Sequence, residues 1–316
     1  MKILITGGAG FIGSHLARKL LNKGETVVVI DNFDPFYPAS EKRKNISDLV
    51  KNRKFKLIKA DIQEGSRIKN IFKKEKFDYV IHLAAKAGVR PSMLNPKAYI
   101  KTNILGTLNL LESSKENRVK NFIFGSSSSV YGERSKVPFS EKDKTDSPIS
   151  PYGFTKLAGE KLCFVYHHLY GLPVICLRFF TVYGPAQRPD LAIRIFIKLI
   201  SKGKPVDMYG DGSTTRDYTF IDDIVDGIAR SYKKKMDFEI INLGNSSPVR
   251  LKDLIRLIGE KLDKDPKINR LPRQKGDVSK TYADISKARL FLNWSPKTKI
   301  DSGLGKMIEW YRSNPV

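Results

Sequence analysis

Two cysteines, Cys163 and Cys176, are all that the 316-residue chain contains. No cluster of His or Cys surrounds them, so neither a disulfide framework nor a bound metal is supported, and reduced core thiols are the expectation. Long apolar runs are also missing. Nothing approaches the length of a membrane span, and the apolar run after Lys2 meets glycines too soon for a secretion signal, which points to a cytoplasmic protein with no membrane partner. Acidic residues are scarce beside basic ones, 33 against 57, for a formal charge of +24. Such an excess attracts polyanions in general. The lysines are scattered, however, and runs such as Lys42–Lys44 and Lys233–Lys235 lie beside or within helical patterns without a nucleic-acid-binding motif. A solvated basic surface is therefore expected, with no nucleic-acid partner. The hydrophobic fraction of 41% is ordinary for a globular chain able to bury a large core.

Glycine is concentrated where it counts. Ile3-Leu4-Ile5 reads as a buried strand, and Thr6-Gly7-Gly8-Ala9-Gly10-Phe11-Ile12-Gly13 as a tight turn opening a helix from Ser14 to Asn22. Glycines at 7, 10 and 13 allow a pyrophosphate to approach backbone N–H groups at a helix N-terminus, with Phe11 and Ile12 alongside. A glycine triplet alone is weak, but a second apolar strand, Thr26–Ile30, ends in Asp31 at about the 20-residue offset of a dinucleotide fingerprint. Asp31, with Asn32 after it, would hold the adenosine ribose and repel a 2′-phosphate. That argues for NAD over NADP, tempered by the nearby Lys42, Arg43 and Lys44.

The chain continues as strands alternating with helices. A charged helix is expected over 41–51, a third strand over 55–60, and then Asp61-Ile62, where the carboxylate either accepts from an adenine amino group or caps a helix from Ile62 to Lys73. A fourth strand, Phe77–Leu83, runs into small residues, Ala84-Ala85 before Lys86, that let a cofactor lie close. A long helix from Pro96 to Asn117 carries Asn103, which either contacts that turn or the cofactor, or is a buried amide tying two backbone segments. The fifth strand, Val119–Phe124, delivers four serines, Ser126 to Ser129, at its carboxyl end. Ser150 can cap a helix whose first residue is Pro151. A sixth strand, Val174–Phe179, precedes a looser region with a helix Asp223–Lys233, a last strand Glu239–Leu243, and helices 251–262 and 304–311.

This pattern is a doubly wound parallel Rossmann sheet with a smaller C-terminal α/β substrate-binding domain. The expected division is 1–180 for the NAD-binding domain, with a return segment at about 218–245, and 181–316 for the second domain. Tyr152 and Lys156 fall one turn apart on the same helix face, after Ser127. A lysine ammonium and a positive nicotinamide ring both favour phenolate, so Tyr152 can take an alcohol's proton while Ser127 orients it and the cofactor does the redox step. Taken alone, the Tyr/Lys pair reads more readily as a surface pair with snorkelling stems, and only the glycine fingerprint, Asp31 and the serine strand end overturn that.

The order GxxGxxG, SSxxVYG, YxxxK and RDYTFIDD resembles the extended short-chain dehydrogenase/reductases, in their nucleotide-sugar epimerase and dehydratase branch, over essentially the full length. Dehydratases of that branch resemble T-D-E-V-Y-G at the strand end. Here Ser128 and Ser129 stand in place of the carboxylates, which leaves C4 epimerisation of a UDP-sugar through a 4-keto intermediate. Segments 32–44, 87–90, 178–185 and 188–192 are similar to UDP-glucuronate 4-epimerases. UDP-glucose 4-epimerases usually have asparagine where this chain has Thr181. The resemblance implies that Thr181, the serines, and Arg90 or Arg188 receive a C6 carboxylate, although Arg188 reads equally as a structural arginine. It also implies Arg216 near the diphosphate and Arg273 and Asp277 near the nucleotide. Gln274 replaces an arginine typical of UDP-glucose epimerases, so that role would pass to Arg273 or Lys275. A homodimer joined through helices around 97–117 and 152–169 is expected by resemblance. The alternatives are a UDP-glucose or UDP-N-acetylglucosamine 4-epimerase and, from another class, an NAD-binding regulator on the same scaffold.

Overall fold

The computed structural model describes residues 1–134, 136–274 and 276–314. Twelve strands are seen among them: β1 (Lys2–Thr6), β2 (Thr26–Asp31), β3 (Phe55–Lys59), β4 (Tyr79–His82), β5 (Asn121–Ser127), β6 (Val174–Phe179), β7 (Thr181–Tyr183), β8 (Val206–Tyr209), β9 (Thr215–Phe220), β10 (Phe238–Leu243), β11 (Pro248–Arg250) and β12 (Ile268–Leu271). Seven form one parallel sheet in the order β10-β6-β5-β4-β1-β2-β3. Strand order reverses between β1 and β4, and a doubly wound sheet opens its ligand crevice at the carboxyl ends of such a pair.

Both faces of the sheet are buried, as the period of two requires. Ile3, Ile5, Val27, Val29 and Ile81 share one apolar cluster with Leu16 and Leu20 of the helix Phe11–Asn22 and Ile224 of the helix Ile221–Ser231. Leu4, Val28, Ile30, Val80, Phe122 and Phe124 share the other with Ile68, Phe72 and Leu110 from the helices Gly65–Glu75 and Gly106–Glu116. In Ile221–Ser231 the buried Ile221, Ile224, Val225 and Ile228 follow helical spacing. The three-stranded sheet β11-β9-β7 and the pair β12-β8 make the smaller lobe.

Several expected boundaries shift. The first helix begins at Phe11, inside the glycine turn. The helix after β3 is Gly65–Glu75, so Asp61 does not cap it. The segment expected as one helix from Pro96 is Pro96–Tyr99, a π-helical stretch Ile100–Leu105, and Gly106–Glu116. The strand carrying the serines extends to Ser127, with Ser128–Tyr131 in a 3₁₀ turn.

Candidate active site

Residues at the carboxyl ends of β1 to β6 and on the helix Pro151–Tyr170 line one cleft of about 460 Å³. Its nucleotide end is built on the glycine turn. Gly7 has φ +69°, and a Cβ there would lie 2.8 Å from Ala84 N; a Cβ on Gly13 would lie 2.6 Å from Gly8 Cα. Side chains at either position would fill the space between β1, the first helix and the end of β4. Gly10, Phe11 and Ile12 line the same wall.

Asp31 closes β2 and is almost fully buried. Its Oδ2 accepts the Ala9 N–H at 3.1 Å and its Oδ1 the Phe33 N–H at 2.8 Å, fixing the carboxylate in the cleft wall. Burial raises its pKa, opposed by the Phe33 N–H and by Lys42. Lys42, noted from the sequence only as a counterweight to the NAD preference, is itself buried in the lining, donating to the Asp34 carbonyl at 2.8 Å with its ammonium 4.7 Å from the centre of the Tyr37 ring. Asp61 and Ile62 also line this end. Asp61 Oδ1 accepts the Gln63 N–H and Oδ2 the Asn32 amide, both at 2.8 Å, so it closes a local turn and pins Asn32. The glycine cradle, the fixed Asp31 and the small residues after β4 fit a dinucleotide.

Leu83, Ala84, Ala85 and Lys86 line the middle of the cleft. Asn103 does not line it: its Oδ1 accepts the Lys86 N–H at 2.8 Å, and its Nδ2 donates to the Lys86 carbonyl at 2.9 Å and to Thr155 Oγ1 at 3.0 Å. The amide therefore ties the turn to the helix Pro151–Tyr170, the structural one of its two expected roles. A second support was invisible in the sequence. Thr107 donates to the Asn103 carbonyl at 2.6 Å and so accepts from His82 Nε2 at 2.9 Å. His82 Nδ1 then accepts from Thr6 Oγ1 at 2.7 Å, which in turn accepts the Ala84 N–H at 3.2 Å. Burial pushes the His82 pKa down to about 3, so this relay stays neutral.

At the reaction end, Ser127, Ser128, Ser129, Tyr152, Lys156, Thr181 and Arg188 line the cleft together. Ser150 caps the helix Pro151–Tyr170 through the Gly153 N–H at 3.0 Å, setting the register of Tyr152 and Lys156. Ser127 Oγ accepts the Ser129 N–H at 3.1 Å and donates to Ser129 Oγ at 3.2 Å. Burial raises the Tyr152 pKa, with Ser127 and Arg188 pulling the other way. Lys156 donates to the Gly125 carbonyl at 2.6 Å and stands 6.0 Å from the centre of the Tyr152 ring. Burial lowers its pKa to about 8 against the pull of Glu160.

Four other expected residues lie off this lining. Arg90 is exposed and stacks over Tyr209, 4.7 Å from the ring centre, so it does not reach the cleft as expected. Arg216 pairs with Asp277 at 2.5 Å. Arg273 donates to Ser279 Oγ at 2.9 Å and lines a second cavity, of about 310 Å³, in the smaller lobe. A Cβ on Gly276 would lie 3.6 Å from Val89, which lines the main cleft, so the residue before Asp277 stands beside that lining. Lys275 lies outside the described residues.

A family profile described as GDP-mannose 4,6 dehydratase matches residues 4–307. The chain is 44% identical to the UDP-glucuronate 4-epimerase of Thermodesulfobacterium geofontis over 98% of its own length and 96% of that protein. Among solved structures, it superposes with a TM-score of 0.94 and 41% identity on the UDP-glucuronic acid 4-epimerase of Bacillus cereus, in complex with UDP-glucuronic acid and NAD, covering 99% of both chains. It also matches the UDP-glucose 4-epimerase of Thermotoga maritima with UDP-glucose, at a TM-score of 0.92 and 36% identity over 99% of each chain. The chain belongs to the GDP-mannose 4,6 dehydratase family of extended short-chain dehydrogenase/reductases, among the NAD-dependent sugar-nucleotide enzymes of that fold.

Proposed function

We propose that the chain interconverts UDP-glucuronate and UDP-galacturonate by NAD-dependent epimerisation at C4. The observation that carries this reading is the reaction end of the cleft, where Ser127, Tyr152 and Lys156 meet serines at 128 and 129 and the charged group added by the second lobe is Arg188. Elimination of water needs a general acid and base beside the leaving group; two hydroxyls do not supply them. NAD, when bound, accepts a hydride from C4 and returns it.

The chain's own residues do the rest. Tyr152 takes the proton of the 4-hydroxyl as the 4-keto sugar forms and gives it back after the sugar turns its other face. Ser127 orients the same oxygen. Lys156 holds positive charge behind them, and Arg188 with Thr181 receives the C6 carboxylate through charge-assisted bonds. Arg216, Arg273 and Asp277 act at the nucleotide side of the sugar. The first lobe with β10 holds NAD and the second closes over the UDP-sugar.

One observation favours a hydroxymethyl substrate instead: Arg188 is already engaged by Asp190. If that pair stays closed, UDP-glucose is the better substrate. Incubating purified protein with each UDP-sugar, without added reductant, and resolving products by proton NMR decides. UDP-galacturonate from UDP-glucuronate supports the uronate reading; conversion of UDP-glucose alone overturns it.

Pairing of two copies belongs to the same reading. The helix Pro151–Tyr170 exposes Phe154, Val165 and Leu169 along one stripe, beside the exposed Ile100 and Leu105 of the neighbouring π-helical segment. An apolar stripe of this kind suits a helical interface between two copies.

A further inference from the structure

Tyr152, Lys156 and Glu160 follow one another at four-residue intervals on the catalytic helix, but only the first two line the cleft. Glu160 is 2% exposed. Its Oε1 accepts from Ser126 Oγ at 2.5 Å and Arg178 Nε at 2.8 Å, and its Oε2 from Arg178 Nη2 at 2.7 Å. Ser126 and Arg178 are register partners on β5 and β6, so one carboxylate clamps two paired strands to the helix. Ser126 stands between Gly125, whose carbonyl receives Lys156, and Ser127.

We propose that Glu160 is a positioning residue for the epimerase reaction: it fixes the Gly125–Ser127 strand end against the catalytic helix and supplies the negative charge that keeps Lys156 an ammonium. The inference rests on the epimerase reading above. Around Lys156 and this clamp stand Tyr152 and Cys163 from the same helix, His82 from β4, the Phe124 ring of β5, and Cys176 and Arg178 from β6. His82 is neutral, burial pushes the Cys176 thiol up, and Arg178 is positive and stacked over Tyr131. Glu160 is the carboxylate in this group. Without it, Lys156 faces burial and Arg178 with no counter-charge.

The test compares wild type with Glu160→Gln and with Glu160→Leu/Arg178→Met, which removes both buried charges and leaves neither unpaired. NAD-loaded protein is assayed with UDP-glucuronate, reading kcat/KM against pH together with Tm and NAD content. The alkaline limb is expected to move to lower pH by about one unit or more in Glu160→Gln, and by less in the double variant, which also removes the positive Arg178. Activity at pH 7.5 should fall at least about 10-fold, and NAD content should stay within about 2-fold. A limb at the wild-type pH in a folded variant overturns the proposal, as does a double variant that recovers both Tm and the wild-type profile. Wild-type conversion in the same assay separates these outcomes from failure of the epimerase reading.

Discussion

Arg188 grips Asp190 with two parallel bonds, Nε to Oδ1 at 2.9 Å and Nη2 to Oδ2 at 2.7 Å, while lining the same cleft as Tyr152. A fork engaged in this way is pre-aligned, and Asp190 sets how readily it turns to a substrate carboxylate. Replacing Arg188 with Met should lower kcat/KM for UDP-glucuronate by about 10- to 100-fold more than for UDP-glucose, the size of a lost charge-assisted bond. Parallel progress curves with the two substrates read the ratio. An equal loss for both would make Arg188 a structural arginine.

In the proposed reaction Tyr152 carries the proton, and it stands with Ser127 at the serine end of the cleft, away from Gly7, Gly13 and Asp31. Tyr152→Phe should therefore reduce kcat by at least about 100-fold with Tm and bound NAD unchanged. Steady-state rates, absorbance of released cofactor and a melting curve check the three expectations. If the NAD-binding regulator were the true role, the variant would keep its biological activity.

Charge away from the cleft governs stability instead. Glu75, at the amino-terminal edge of the sheet, accepts from Lys2 at 2.7 Å and Lys56 at 2.6 Å, and these bonds outweigh burial to hold its pKa below the ordinary 4.5. A carboxyl lowered in the folded state stabilises it above its unfolded pKa, and that contribution is lost as pH falls through and below about 4.5. Glu75→Gln should cost about 1–2 kcal/mol at pH 7 and less at pH 3, with kcat unaltered. Thermal melts at the two pH values test the sign.

The apolar stripe on the catalytic helix predicts self-association. Phe154→Glu with Leu169→Glu should turn a dimer into a monomer, since charged side chains at the centre of such an interface remain desolvated and unpaired. Light scattering distinguishes the two; a wild-type monomer would remove the interface from the account.

The sheet and most of the cleft were legible because their signals are local. The apolar strands at 3–5 and 26–30, Asp31, the serines and the Tyr/Lys spacing each declare themselves within a few residues, and the structure gathers them at the carboxyl edge of one sheet. What escaped depends on contacts distant in sequence. His82 reads as a polar interruption of a strand until Thr6 and Thr107 are seen on either side of it. Nothing local in the sequence marks Glu160 and Arg178 as partners, yet they meet in the core. Arg90 shows the opposite case: near Gly88 in sequence, it turns outward onto Tyr209. The π-helical stretch Ile100–Leu105 within that helix also gave no local warning, since it contains neither proline nor glycine.

In the proposed reaction a hydride leaves C4 and returns to the same carbon. UDP-glucuronate carrying deuterium at C4, incubated with the NAD-loaded protein in ordinary water and followed by proton NMR, tests it directly. UDP-galacturonate should form with deuterium retained at C4. Product that has lost the label to solvent, or that gains solvent deuterium at C5 when the reaction is run in heavy water, would contradict it.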